Sequence, residues 1–283
     1  MNSHKEGPDF TNSAIDSRFS TIMRKIAILG IALLCTLLSA TGTMSAAGSS
    51  APETLTYDVM YKWGLIHKKA GSVTLTSRHV SSGKELNATL TASTAPWADK
   101  FFELRDTLIG RMDSRTLFPT YYERIAHEGG SYAHDILNYT RTDTKVSATA
   151  SLWRKRKKST EITQSEKFHE AEGKTLDMLS AFYYMRHIDY TSMKKGESVK
   201  LNIFSGQKKE MLTIHYQGTE KVKIGNKEYT GYHITFTFTT EGGKVSSDNM
   251  DAWISTEASH IPLLMEGKLP VGKVRAVYSG PLP

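Results

Sequence analysis

From Tyr232 to Thr239 the chain reads Tyr-His-Ile-Thr-Phe-Thr-Phe-Thr, an unbroken alternation of large apolar side chains with small hydroxyls or imidazole. A period of two puts one set on each face of a strand, so this stretch has to lie in a sheet with one face covered and one face wet. Strand-length segments rich in Thr, Val, Leu and Tyr fill most of the remaining chain. They are LTYDVMYKW from Leu55, AGSVTLTSRHV, ELNATLTAST, LRDTLIGRM, FPTYYERIAHE, SYAHDILNYT and KVSATASLW, and later SVKLNIFSG, EMLTIHYQG, EKVKIG, DNMDAWIST, IPLLMEGKLP and KVRAVYSG. Turn chemistry separates them at Ser81-Ser82-Gly83-Lys84, Gly129-Gly130, Gly225-Asn226-Lys227-Glu228 and Gly242-Gly243-Lys244, which predicts antiparallel neighbours. Pro119 marks a strand start or an edge, and Pro96 to Phe102 suits a short helical turn with proline in its first position.

One segment breaks the rhythm. Thr175 to Tyr190, TLDMLSAFYYMRHIDY, is the best helix candidate beyond the N-terminal segment, with Thr175 as cap and Asp177 in the first turn. Leu179, Phe182 and Arg186 share one side, and Leu176, Tyr183, Tyr184 and Ile188 make the rest apolar too. A helix with that surface must be covered. The predicted fold is therefore mainly β: a curved antiparallel sheet, an open β-barrel or half-barrel, with one principal helix near 175–190 packed against it, in a single domain spanning 48–283. The polar stretch from Arg154 to Gly173 carries few strand or helix signals and is expected to be a hairpin tip or linker.

Residues 1–47 belong to export. Arg24 and Lys25 precede the apolar run Ile26 to Ala40, followed by small residues around Ala46 and Ala47, the pattern of a cleaved secretory signal. The run falls short of the roughly 20 apolar residues of a membrane span, and Met23 is the more natural start. Cys35 is the one cysteine among 283 residues and lies inside that run, so the processed chain is expected to hold no disulfide, thiol nucleophile or thiolate metal site. The formal charge of +7 becomes about +6 once residues 1–47 are removed. Export makes nucleic acid an unsuitable partner and the periplasm the expected compartment, with the extracellular side or the cell surface as alternatives.

The opening Tyr57-Asp58-Val59-Met60-Tyr61-Lys62-Trp63-Gly64-Leu65-Ile66 with Ala70-Gly71, the segment Asp177 to Arg186, and the ending Trp253-Ile254-Ser255 through Ile261-Pro262-Leu263 to Gly272-Lys273-Val274-Arg275-Ala276 resemble the exported bacterial family known as domain of unknown function 3108. The resemblance spans most of the processed chain and brings no assigned activity or catalytic residues. A weaker analogy, at the level of fold, is to periplasmic lipoprotein carriers, whose open barrels are lidded by helices over an apolar cavity.

Candidate site residues each have two readings. Met178, Phe182, Tyr183 and Met185 suit an irregular apolar ligand such as an acyl chain, and core packing explains them as well. Arg186 would pair with Asp189 one turn on, or with an acidic head group. Trp63 is a strand-end aromatic that serves either packing or ligand contact, and Trp253 has the same two readings, with Pro262 at an edge as its partner in a terminal hairpin. The tract Arg154, Lys155, Arg156, Lys157, Lys158 is either a solvated loop or a patch for anionic lipid or lipopolysaccharide phosphates. Histidines are dispersed without metal spacing, nucleophile-elbow and phosphate-loop motifs are missing, and Glu103, Asp106 and Asp113 are the nearest thing to paired carboxylates. No cofactor is expected. The reading that follows is a non-enzymatic envelope protein binding a lipid or lipidated partner, such as a lipoprotein, in an apolar groove. Its rival is a structural, assembly or glycan-binding β module with a filled core, working through another envelope protein or a glycan.

Overall fold

The computed structural model describes residues 38–39, 52–245, 247, 249–269 and 272–281. The expected signal segment thus lies outside the described residues, save for Leu38–Ser39 (β1), which pairs in parallel with Arg186–Asp189 (β11). The strands that follow β1 are β2 (Glu53–Trp63), β3 (Ile66–Val80), β4 (Glu85–Thr94), β5 (Leu104–Asp113), β6 (Pro119–Glu128), β7 (Ser131–Arg141), β8 (Lys145–Lys155), β9 (Thr163–Glu172) and β10 (Thr175–Leu176). After the central helix, Met178–Met185, and β11 come β12 (Ser198–Phe204), β13 (Lys209–Ile224), β14 (Lys227–Thr240), β15 (Met250–Ser255), β16 (Pro262–Lys268) and β17 (Lys273–Tyr278).

Fifteen of these strands make one sheet in the order β10-β12-β13-β14-β15-β16-β17-β2-β3-β4-β5-β6-β7-β8-β9, antiparallel throughout except for the β10–β12 pair. Tight turns explain the antiparallel order, since a reversal of a few residues cannot join parallel neighbours. The sheet curls until its two edges nearly meet. Across the seam the bonds run from side chain to backbone: His169 Nε2 lies 2.7 Å from the Gly206 carbonyl, Asn202 donates to Glu172 O at 2.8 Å, and Lys167 donates to Gln207 O at 3.2 Å. These bonds give the two edges partners they would otherwise lack.

Alternation decides what faces inward. Leu55, Tyr57, Val59 and Tyr61 are buried on β2, and Ile234, Phe236 and Phe238 on β14, while their neighbours face out. Inside sit Tyr57, Tyr61, Tyr122, Tyr190, Phe182, Phe204 and Phe236, all essentially without solvent contact. Apolar inside and Thr-, Lys- and Glu-bearing outside is the reverse of a membrane-spanning barrel, which shows its apolar face to lipid.

The helix is shorter than 175–190. Its cap is Asp177, not Thr175: the Asp177 carboxylate accepts from the Leu179 and Ser180 N–H groups at 2.7 Å, and Ser180 Oγ accepts from the Asp177 N–H at 2.9 Å. Thr175 belongs to a strand pairing with β12. Beyond Met185 the chain is extended, so Arg186 and Asp189 do not face each other on a helix surface. Arg186 turns inward and grips Glu53 with both nitrogens, at 2.5 and 2.6 Å, and also donates to Ser259 O.

Two further expectations are corrected. Thr163 to Glu172 is a full strand, although mostly exposed, because it pairs with β8 along its length. The tip is confined to residues 156–162, so Arg154 and Lys155 of the basic tract are strand residues. The segments read as two strands around Gly218 are one, β13, bent by a bulge at Tyr216/Gly218 where Gly218 takes φ +107°.

Candidate functional site

Strand direction gives the barrel two ends. The base holds the helix, Glu53, and the turns at 81–84, 114–118 and 256–261; the mouth holds the β2–β3, β6–β7, β8–β9, β12–β13 and β16–β17 turns together with the helical turn Pro96–Asp99. At the mouth a cleft of about 790 Å³ opens between β6, β7, β8, β9 and the β12–β13 turn. Its walls carry Arg154, Lys155 and Arg156 against Glu128 and Glu161, with the hydroxyls of Ser131, Ser159, Thr163 and Ser165 between them.

The cleft is built on buried ion pairs. Asp135 faces inward from β7, nearly fully buried, and pairs with Arg154 from β8. Gly206 sits directly against this carboxylate with φ +83°, and a Cβ there would collide with it. The residue must therefore be glycine for the β12–β13 turn to close over the pair. One strand further on, Arg124 lies 2.5 Å from Glu128 and 3.6 Å from Asp106, whose side chain has no exposure at all. Burial pushes the Asp106 carboxyl well above the usual carboxylate range; Arg124 opposes this, and the nearby Glu128 adds to it. The arrangement holds the Arg154 guanidinium at a fixed depth in a hydroxyl-lined opening, with the Arg124 pairs in the neighbouring strands, a geometry suited to a phosphate or carboxylate.

The predicted site residues fall in four places. Met178, Phe182, Tyr183 and Met185 lie inside the barrel, buried at 8% exposure or less, packed with the core. Arg186 closes the base. Trp63 stands half-exposed at the mouth, and Trp253 lies on the outer face, stacked on His233 at 4.6 Å and donating to Glu220 at 3.1 Å. Pro262, expected at an edge, begins β16 in the interior of the sheet beside a register shift. Of the basic tract, Arg154, Lys155 and Arg156 line the cleft; Lys157 packs over Gly130 and Lys158 is exposed. Asp113 bonds its own turn at Thr116 and is not brought to Asp106, whose companion is Glu128. Sequence reasoning missed Arg124, Glu128 and Asp135. The available signal was a charged residue at an inward position of an alternating strand, as Asp106 is between Leu104 and Leu108.

A family model described as Protein of unknown function (DUF3108) matches residues 56–278. The chain belongs to this family. Its DUF3108 region takes in all three stretches that carry the resemblance and every residue of the mouth cleft. Among solved structures the fold is similar to the beta-barrel-like protein of domain of unknown function DUF1849 from Brucella abortus, with a TM-score of 0.53 at 9% identity over 81% of this chain and 95% of that one. At that identity the likeness shows a shared barrel-like fold and nothing of activity. No curated protein matches.

Proposed function

We propose that this DUF3108 chain is an exported, non-catalytic binding protein of the cell envelope that holds the anionic group of a lipid or lipidated partner at the mouth of its barrel. The observation that carries the reading is the Asp135–Arg154 pair under the cleft. A buried carboxylate fixes one guanidinium in place, and Lys155 and Arg156 add two cations that no ion pair joins to a carboxylate among the described residues. Such a site binds a phosphate or carboxylate through preset donors. The packing of the helix side chains favours recognition of the polar group over an acyl chain in a hollow interior. Export rests on the signal pattern of residues 24–47.

The test is a titration of the purified chain with inorganic pyrophosphate and with a soluble sugar phosphate at two salt concentrations. Binding should weaken with salt, since the rim cations are exposed. Lys155→Glu with Arg156→Glu should weaken it by about tenfold or more, that is ~1.4 kcal/mol, with an unchanged melting temperature. Equal affinity in the double variant would remove the basis for this reading.

A further inference from the structure

The mouth differs from the base in a second respect. Trp63 is 51% exposed, Leu65 wholly exposed and Phe101 42% exposed, and Ile162 and Val245 also stand out in solvent. All five lie at or beside connections of the mouth; the other exposed large apolar side chains, Phe168 and Met211, lie on strands. Leu65 occupies a two-residue turn with Gly64, a position that polar residues normally fill. An apolar side chain there gains nothing from the fold.

The helical turn beside Phe101 is braced. Trp97 donates its indole N–H to Lys69 O at 2.6 Å and pairs with the Phe101 ring at 6.4 Å, which ties the helical turn to the start of β3. Lys68 Nζ lies 4.4 Å from the centroid of Trp97. Gly272 packs against the Lys62 carbonyl so closely that a Cβ would collide, which holds the start of β17 beside the end of β2.

Around the β2–β3 tip the register gathers positive charge, while Asp99 and Glu103 on either side of Phe101 pair with Arg105. Register places Lys268, Lys273, Lys62 and His67 directly opposite one another across β16, β17, β2 and β3. Like charges in opposed positions destabilise a sheet. Lys273 has Glu266 at 2.7 Å, whereas no ion pair joins Lys62 or Lys268 to a carboxylate among the described residues. Exposed Lys100 stands beside Phe101.

We propose that the β2–β3 tip, with Trp63, Leu65 and Phe101 entering the head-group layer and Lys62, Lys268 and Lys100 around them, docks the barrel mouth-first on an anionic lipid surface. Tryptophan at the level of the head groups and lysine at their phosphates are the chemistry such a surface selects. Exposed apolar area with a cationic rim fits it on both counts. The inference stands on side chains outside the mouth cleft and survives if the cleft proves empty of function.

The experiment is co-sedimentation of the processed chain with phosphatidylcholine vesicles, with and without phosphatidylglycerol. Binding is expected to the anionic vesicles and to fall with salt. Trp63→Ser with Leu65→Ser should weaken it by about tenfold or more, and Lys62→Gln or Lys268→Gln by roughly fivefold each. Soluble pyrophosphate binding should be unchanged in all of them. Trp63→Phe should keep vesicle binding and abolish a blue shift of tryptophan emission on vesicle addition. Full binding by the Trp63→Ser/Leu65→Ser variant, equal binding to phosphatidylcholine alone, or no sedimentation with either vesicle overturns the proposal. So does loss of vesicle binding in Lys155→Glu/Arg156→Glu alone, which would give the membrane to the cleft rather than to the tip.

Discussion

The base and the mouth of this barrel are made by the same strands yet solve opposite problems. At the base the sheet is sealed: Arg186 reaches from behind the helix to Glu53, and Tyr190 stacks among Tyr216 and Tyr232 at 5.5 and 5.2 Å. At the mouth the buried acids Asp106 and Asp135 sit under arginines, and beyond them come cations and exposed apolar side chains. The difference teaches where stability and recognition are separated. The base holds groups whose removal leaves a hole or an orphaned charge, and the mouth rim holds groups whose removal leaves the fold untouched.

That contrast breaks most visibly at the helix. Phe182→Ala should destabilise the chain by ~3–5 kcal/mol in urea unfolding, because the site is fully enclosed and cannot collapse. A loss under 1 kcal/mol would mean that the interior has slack, and would revive an acyl-chain cavity. Arg186→Ala comes next, at about 3 kcal/mol, toward the lower end for a broken buried pair because Glu53 keeps some contact with water. If that variant is as stable as the parent, the base is not sealed by this pair.

A smaller effect depends on pH. Burial pushes the Asp177 carboxyl up to about 7 from its ordinary 3.8, against the pull of the Ser180 and Leu179 N–H groups. A folded-state pKa raised above the unfolded one contributes stability that is complete below about pH 4 and lost as pH rises through 7. Asp177→Asn keeps a capping oxygen and removes the titration. Its stability relative to the parent should therefore rise between pH 4 and 7.5, by ~1 kcal/mol or more. A flat difference across that range would show that the cap does not titrate there. Least of all, Arg156→Ala and Leu65→Ser should change unfolding free energy by about 0.5 kcal/mol or less. A larger loss would make the mouth rim structural and erase the contrast.

Much of the fold was legible because a sheet with one covered face writes itself in a period of two. Tyr57 with Val59 and Tyr61, or Ile234 with Phe236 and Phe238, could hardly face anything but a core. Strand β9 was illegible for the same reason in reverse: as an edge strand with little to bury it shows no alternation, and only its ladder with β8 makes it a strand. The helix was visible but its ends were not, because the apolar residues run on into β11 and the start is decided by the reciprocal cap between Asp177 and Ser180. The mouth cleft was half visible. The basic tract stands out in sequence, but Asp135 is an inward residue indistinguishable by spacing from its outward neighbour His134 until the register is known.

Taken alone, the order of residues decided that this chain forms antiparallel strands, that one short helix must be covered, and that cations gather before residue 159. Those properties are local, set by side-chain period, turn chemistry and charge along the chain. Tertiary structure alone decided that Arg186 meets Glu53 from 133 residues away, that Gly206 closes over Asp135, and that Trp63, Leu65 and Phe101 end on the same rim as the lysines. The reason is that curling the sheet brings far-apart strand ends to one circle. Which ends share a circle is a matter of strand count and direction, which no single stretch of sequence carries.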